Sequence, residues 1–388
     1  MSDPSLELSV VMPCLNEADT IETCIRKAQA AIGRHAINGE IVIADNGSSD
    51  GSQAIAERLG ARVVKVAAKG YGSALMGGIA SAQGRFVIMG DADDSYDFGE
   101  IPRIVDELRK GRDLVQGCRL PSGGGTILPG AMPFLHRWWG NPMFSVMVRM
   151  MFKAPIHDVY CGMRGFTKAA YARLDMRCTG MEFATEMIIK TSRYKMNIAE
   201  VAITLHPDGR KAHAPHLKTF RDGWRTLRFF LMCSPRWLFL IPGVCMFTIG
   251  LLGYALALPG VRFFNATLDA HTLLVASLCL LLGQQAIFFA IFAKMFSINE
   301  RLMPEDPRMD RLFRTFTLEK GILLGCGAVL TGLALLGWSV VAWRAAGFGA
   351  LDYAHTMRRV IPGVTLAALG TQTVLSSFII SILSMQRR

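Results

Sequence analysis

Paired cysteines are missing from this chain. The nine that occur stand singly, as Cys14, Cys24, Cys118, Cys161, Cys178, Cys233, Cys245, Cys279 and Cys326, with no Cys-x-x-Cys spacing. That excludes the usual zinc-ribbon and dithiol frameworks and favours reduced thiols in a cytosolic compartment. The first twelve residues lack a basic stretch followed by a long apolar run, so no cleaved secretory leader is expected. Internal repeats and low-complexity tracts are also absent. Acidic side chains are the scarcer sign: 31 Asp and Glu against 42 Lys and Arg leave a net charge of +11 in 388 residues. An excess of that size fits an anionic partner, whether lipid headgroups, phosphate-bearing substrates or nucleic acid. The basic residues gather beside apolar runs rather than along one polar face, which argues against nucleic acid.

What is abundant is hydrophobicity. The apolar share is 51% and the mean hydropathy +0.31, above what a soluble domain carries. The excess lies in four uncharged runs at about 237–258, 272–293, 321–343 and 361–383, each long enough to cross a hydrocarbon core of about 30 Å. Six basic residues lie between the second and third runs: Lys294, Arg301, Arg308, Arg311, Arg314 and Lys320. The first intervening loop holds only Arg262, and the third holds Arg344, Arg358 and Arg359. This bias predicts an integral membrane protein (inner or plasma membrane if bacterial) with the second loop and the N-terminal domain on the cytosolic side. Just before the first run, Phe220, Trp224, Leu227 and Leu231 recur at helical spacing beside Lys218, Arg221, Arg225 and Arg228. That pattern predicts an amphipathic helix in the membrane interface over 214–235. The expected organisation is a cytosolic domain over 1–213, this helix, and an all-α membrane domain over 236–388.

Residues 6 to about 120 alternate strand-length apolar runs with amphipathic stretches. Strands are expected at Leu8–Met12, Ile41–Asp45, Val63–Val66, Phe86–Gly90 and Leu114–Cys118, and helices at Glu17–Ile32, Gly51–Leu59, Gly72–Ala82 and Glu100–Arg109. Such alternation predicts an α/β, Rossmann-type, mainly parallel sheet with ligands beyond the carboxyl ends of its strands. Two acidic motifs fall at those ends. Asp45-Asn-Gly-Ser-Ser-Asp50 follows one strand; Asp45 can accept from a base or ribose, while Asp50 reads chiefly as a helix cap. Gly90-Asp91-Ala-Asp93-Asp94 follows another. In an extended segment Asp91 and Asp93 face one side and can converge on a hard divalent ion, Mg2+ or Mn2+, that bridges to a diphosphate.

Together, Val11-Met-Pro13-Cys-Leu-Asn16-Glu17, Ala44-Asp45-Asn-Gly-Ser-Ser-Asp50-Gly, Lys69-Gly-Tyr-Gly and Gly90-Asp91-Ala-Asp93 resemble inverting glycosyltransferase family 2. Within it they are most similar to the polyprenyl-phosphate hexose transferases, such as the dolichyl-phosphate mannosyltransferases. The resemblance runs from residue 6 to about 235. It implies a GT-A-like fold and transfer of a hexose from a GDP- or UDP-linked donor to polyprenyl (undecaprenyl or dolichyl) phosphate. Residue by residue, it implies nucleotide contacts at Pro13, Asn16, Glu17, Asp45 and Asp91, and metal binding by Asp91 and Asp93. Where the family often has Gln after the acidic pair, Asp94-Ser-Tyr stands here, so the third metal ligand is not named. Gln116-Gly-Cys-Arg119 matches a family Gly-Ser-Arg. Arg119, with Arg137 and Arg210 at looser spacing, is implied to meet the acceptor phosphate, which carries roughly −1.5 to −2 charge and suits a guanidinium fork. Asp93, Arg119 and Arg210 are the residues implied to act in catalysis.

His206–Lys218 reads as a mobile polar loop; His213 and His216, without further ligands nearby, do not make a zinc site. Glu182 and Glu186 fit either a carboxylate near the sugar or an ordinary helix surface. Two rivals remain. A processive polysaccharide synthase also joins such a domain to membrane runs, but its Gln-x-x-Arg-Trp motif is here Cys233-Ser-Pro-Arg236-Trp237, without the Gln. A non-catalytic membrane scaffold or flippase would not need the intact Asp91/Asp93 pair.

Overall fold

The computed structural model describes residues 6–210, 219–263, 266–300, 303–304, 306–309, 311 and 316–385. It divides into two compact units, Met1–Phe230 and Leu231–Arg388. The boundary expected at 213/214 falls within 211–218, outside the described residues, as does the part of the expected His206–Lys218 loop beyond Arg210.

In the first unit the expected strands form: β1 Leu8–Cys14, β2 Gly39–Asp45, β3 Arg62–Lys65, β4 Phe86–Met89 and β5 Leu114–Cys118. So do the helices between them, α1 Ile21–Arg34, α2 Ser52–Arg58, α3 Tyr71–Ser81 and α4 Ile101–Arg109. Further along come β6 Thr126–Ile127, α5 Asn141–Phe152, β7 Arg164–Thr167, α6 Lys168–Leu174, α7 Glu182–Arg193, β8 Ile198–Ala202, β9 Thr204–Leu205 and α8 Thr219–Met232. Seven strands make one sheet in the order β3-β2-β1-β4-β7-β5-β8. Every neighbouring pair is parallel except those of β7, which runs antiparallel to both β4 and β5. β7 had no signature in the sequence: Arg164-Gly-Phe-Thr is short and opens on an arginine, which the sheet nevertheless buries completely.

β1 shows why the layers form. Leu8, Val10, Met12 and Cys14 join Ile21, Ile25, Ile88, Ile104 and Val105 in the core between the sheet, α1 and α4, as the two-residue period of a strand requires. Val11 points to the opposite face. There Gly78 lets α3 settle on the sheet, since a Cβ on it would stand 2.6 Å from Val11 Cγ1 and 2.8 Å from Ala44 Cβ.

Strand order reverses between β1, which continues to β2 and β3, and β4, which continues to β7 and β5. The crevice beyond the carboxyl ends of β1 and β4 is therefore the switch point at which sheets of this kind bind ligands. Asn16, Glu17, Asp91 and Asp93 follow those two strands directly.

The second unit contains four long apolar helices, Arg236–Ala257, Ala270–Asn299, Leu318–Ala345 and Tyr353–Ser384. The shortest has 22 residues, about 33 Å at the α-helical rise, enough for the bilayer core. The last three run several residues past the apolar stretches, since the helical hydrogen-bond ladder continues through flanking polar residues such as Lys294, Arg344 and Arg358. A hydroxyl cluster ties three of them together: the Tyr254 hydroxyl lies 2.7 Å from Ser277 Oγ and 3.0 Å from Thr365 Oγ1.

Candidate active site

The loops after β1 and β2 are stitched together by backbone donors. Asn16, in the left-handed conformation with φ of 60°, donates its N–H to Ser48 Oγ at 3.0 Å and accepts from the Ser49 N–H at 2.8 Å. The Glu17 N–H donates to Ser52 Oγ and the Ala18 N–H to Asp50 Oδ2. These residues form a turn, so α1 begins at Ile21 rather than at Glu17. Asp50 also accepts from the Ser52 N–H at the start of α2, but it stands one position before the N-cap, which is Gly51 with φ of 92°. Pro13 lies within β1, paired with Ala44 of β2.

Asp45 is buried, and its oxygens accept from the Gly47 and Ser48 N–H groups and from Gln53 Nε2 at 2.8 Å. Its carboxylate is thus largely spent on shaping its own turn. Asn46 beside it clamps the next loop, donating to the Val66 and Ala68 carbonyls and accepting from the Gly70 N–H. That clamp sets the start of α3, where the Tyr71 hydroxyl donates to Asp91 Oδ1 at 2.8 Å.

The acidic loop is not the extended segment that its alternation suggested. β4 stops at Met89, and Asp94 turns the chain with φ of 61°. Asp91 and Asp93 nonetheless stand close enough to interact. Burial, and after it the charge of Asp93, raises the Asp91 carboxyl to about 6. Asp93 accepts from the N–H and hydroxyl of Ser95, and Asp94 pairs with Lys27 at 2.7 Å. Among the described residues, no three His, Cys, Asp or Glu side chains gather into a ready-made metal site.

Arg210 closes this acidic crevice. Its Nε and Nη2 donate to both oxygens of Glu17 at 2.6–3.0 Å, Nη1 donates to Asp208 at 2.9 Å, and Nη2 stands 3.5 Å from Asp93 Oδ2. Burial works against its charge, but the Glu17, Asp93 and Asp208 carboxylates together more than offset this and hold it above its usual range. The segment that carries it lies along the acidic loop, with the Gly209 N–H donating to the Asp93 carbonyl.

Arg119, at the end of β5, is buried in a two-toothed pair with Asp158: Nε to Oδ2 at 2.8 Å and Nη2 to Oδ1 at 3.0 Å. Its Nη1 reaches the Tyr96 hydroxyl at 3.4 Å, and that oxygen also accepts from the Gly162 N–H. Arg119 therefore belongs to a buried network beside Asp91, whose carboxyl feels the charges of both Arg119 and Arg210. Arg137 is separate, its guanidinium lying 5.5 Å above the Trp138 ring. Glu186 serves the scaffold, pairing with Lys190 at 2.7 Å and accepting from the Arg177 and Cys178 N–H groups, while Glu182 pairs with Arg225.

The fold thus brings Asn16, Glu17, Asp91, Asp93, Arg119 and Arg210 to one place. Asp45 lies next to them with its carboxylate engaged, and Arg137 makes no ion pair with any of them among the described residues. Tyr71, Tyr96 and Asp158 are the members that the sequence reading did not single out. Tyr71 sat within a quoted motif, but its role, like that of Asp158, comes from contacts over 20 and 39 positions of chain.

Residues 9–175 match the glycosyl transferase family 2 model, and residues 291–384 match that of the glycosyltransferase family 2 C-terminal transmembrane region. The low-salt glycan biosynthesis hexosyltransferase of Haloferax volcanii is 38% identical over 380 residues, 98% of this chain and 89% of that one. The chain belongs to glycosyltransferase family 2. This family 2 glycosyltransferase is also 31% identical over 218 residues to a dolichyl-phosphate hexose transferase of the same organism, covering 56% of the chain and 89% of the relative. Among solved structures, glucosyl-3-phosphoglycerate synthase from Mycobacterium tuberculosis in complex with Mg2+ and UDP gives a TM-score of 0.46 at 22% identity, over 58% of this chain and 79% of that one. The mainly parallel sheet is GT-A-like, and the four apolar helices with the transmembrane-region match make this an integral membrane protein.

Proposed function

We propose that this enzyme transfers a hexose from a GDP- or UDP-linked donor to the phosphate of a polyprenyl lipid, with inversion, at the cytosolic face of the membrane. The observation that carries this reading is the convergence of Glu17, Asp91 and Asp93 with the guanidinium of Arg210 at the β1/β4 switch point. Carboxylates and arginines concentrated there suit two phosphate-bearing substrates and a cation. The dolichyl-phosphate hexose transferase among the relatives supports the choice of acceptor.

The donor set fits a divalent ion. Asp91 and Asp93 offer hard oxygens close together, and burial, with the charge of Asp93 after it, raises the Asp91 carboxyl. Asp91 and Asp93 would hold the ion. Bound there, Mg2+ or Mn2+ supplies charge neutralisation for the departing diphosphate.

The chain's own groups do the rest. Pro13, Asn16 and Glu17 flank the nucleotide, and Asp45 acts there through the turn it shapes. Tyr71 orients Asp91 by its hydroxyl bond. Arg210 exchanges its Glu17 and Asp93 contacts for the incoming acceptor phosphate, and Arg119, oriented by Asp158, adds a fixed positive field beside it. Arg137, resting over Trp138, is given no contact with the reacting phosphate. An oxygen of the lipid phosphate attacks the anomeric carbon as the bond from that carbon to the diphosphate oxygen breaks. The nucleophile is already anionic, so no general base is assigned and orientation carries much of the rate.

The domain limits proposed are a catalytic domain to about 213, an interfacial helix to 235 and a membrane domain beyond. The test is incubation of the full chain in lipid nanodiscs with GDP- and UDP-linked hexoses, undecaprenyl phosphate and Mn2+. A chloroform-extractable glycosyl phosphate is the expected product. Transfer to a growing sugar chain without any use of the lipid phosphate would overturn the acceptor assignment.

A further inference from the structure

Polar side chains inside the second unit are satisfied by pairing across helices. Gln284, on the second membrane helix Ala270–Asn299, donates to Thr373 Oγ1 at 2.8 Å and to the Leu369 carbonyl at 3.1 Å on the fourth. The Tyr254, Ser277 and Thr365 hydroxyls pair likewise. Gln285 is the exception. It is exposed, and its amide makes no hydrogen bond among the described residues. It also lies deep, about 12 Å of helix inside the nearer end of the apolar run 272–293. An amide that faces hydrocarbon at such depth is costly, and polar groups so placed mark functional contacts.

The surface around Gln285 has the pattern of a helix-pairing seam. Leu278, Leu282, Gln285, Phe289, Phe292 and Phe296 stand alternately four and three positions apart, the spacing of a left-handed helix pair. Leu278, Leu282, Phe289 and Phe296 are each between 42% and 55% exposed, so the seam is open along its length. Gln372 adds a second orphan amide on the same side. The second and fourth helices cross the membrane in the same direction and meet at Gln284 and Thr373. The residue after Gln284 and the residue before Thr373, each turned by about 100°, therefore face one side. Gln372 Oε1 is buried without a hydrogen-bond partner among the described residues.

We propose that this seam pairs with the same seam of a second copy of the chain, Gln285 meeting its counterpart across a two-fold axis normal to the membrane. Lipid tails offer an amide neither donor nor acceptor, whereas a carboxamide carries both and complements itself. Two copies inserted with the same sidedness bring position 285 to the same depth, where an isologous contact sets a residue against its own equivalent. One polar residue in an apolar seam also fixes register, as a buried Asn does in coiled coils. The pairing stands apart from the transfer reaction proposed above, because it uses no residue of the crevice and its test reads association and not turnover.

The test uses the full chain fused to a donor or an acceptor fluorescent protein, the two reconstituted together in vesicles of phosphatidylethanolamine and phosphatidylglycerol. Energy transfer above random encounter is followed as the protein is diluted in lipid. Gln285→Leu is expected to need at least about tenfold more protein per lipid than the unaltered chain for half-maximal transfer, with Gln285→Asn between them. Leu330→Ala, at an exposed position of the third membrane helix, should behave as the unaltered chain. Gln285 has no partner within its own chain to lose, and unchanged circular dichroism shows that each variant is folded. A benzophenone amino acid in place of Leu282 should capture a second copy of the chain on irradiation. Association of Gln285→Leu as tight as that of the unaltered chain would overturn the proposal. So would an unaltered chain that shows no transfer above random encounter, or capture of lipid alone at position 282.

Discussion

Single side chains in this enzyme are constrained by charge more than by shape. Asp91 shows it, since a carboxyl that burial and a neighbouring carboxylate raise to about 6 is poised to accept a cation. Asp93→Asn is therefore expected to lower the transfer rate by about 10²–10³, the size typical of losing one electrostatic stabiliser, and EDTA should act likewise on the unaltered chain. Rates with radiolabelled donor measure both, and full turnover in chelator would remove the metal from the scheme. Arg119 has another kind of importance. Its partner Asp158 is wholly buried, so Arg119→Ala leaves an uncompensated carboxylate and should cost about 3–5 kcal/mol of stability. Arg119→Ala with Asp158→Asn should recover part of that loss. Denaturant titration of the two variants decides it: equal stability of Arg119→Ala and the unaltered chain would show that the pair contributes nothing.

At the scale of elements, close approach decides where things pack. α3 carries Tyr71 toward Asp91 because Gly78 leaves room for Val11 and Ala44. Gly78→Val should overpack that contact at a cost of about 1–3 kcal/mol and push Tyr71 off Asp91. Hydrogen exchange of α3 should then rise together with a loss of transfer, whereas slow exchange with normal activity would show that the layer absorbs the added volume. In the membrane unit, the third and fourth helices meet at glycines. A Cβ on Gly332 would lie 2.5 Å from the Gly363 carbonyl, and one on Gly370 2.5 Å from that of Gly325. Helices lacking a hydrophobic drive to associate in lipid use such contacts.

For the whole molecule, the distribution of basic residues predicts sidedness. With Lys294, Arg301, Arg308, Arg311, Arg314 and Lys320 grouped between the second and third apolar runs, that loop and the first unit should lie on the same, cytosolic side. Protease accessibility in sealed inside-out vesicles should cut both, and protection of one alone would refute the orientation. The same basic excess, with 42 cations against 31 anions, fits a protein whose substrates and surroundings both carry phosphate.

Sequence alone determined the local elements. Apolar runs of strand length, amphipathic stretches between them and four uncharged runs near the end each report a periodicity or a length, and these are properties of neighbouring residues. It also determined which residue types could bind phosphate and metal, because Asp91, Asp93, Glu17 and Arg210 carry that chemistry wherever they lie. Tertiary structure alone decided partnership. β7 enters the sheet antiparallel between β4 and β5, and its buried Arg164 donates to the Ala184 and Cys161 carbonyls. Asp45 turns out to be bonded to its own loop, and Arg119 to be held by Asp158 across 39 residues. Arg210 finds Glu17 over 193 positions of chain. Such pairings depend on which chain segments the sheet order brings together, and no local pattern encodes that order.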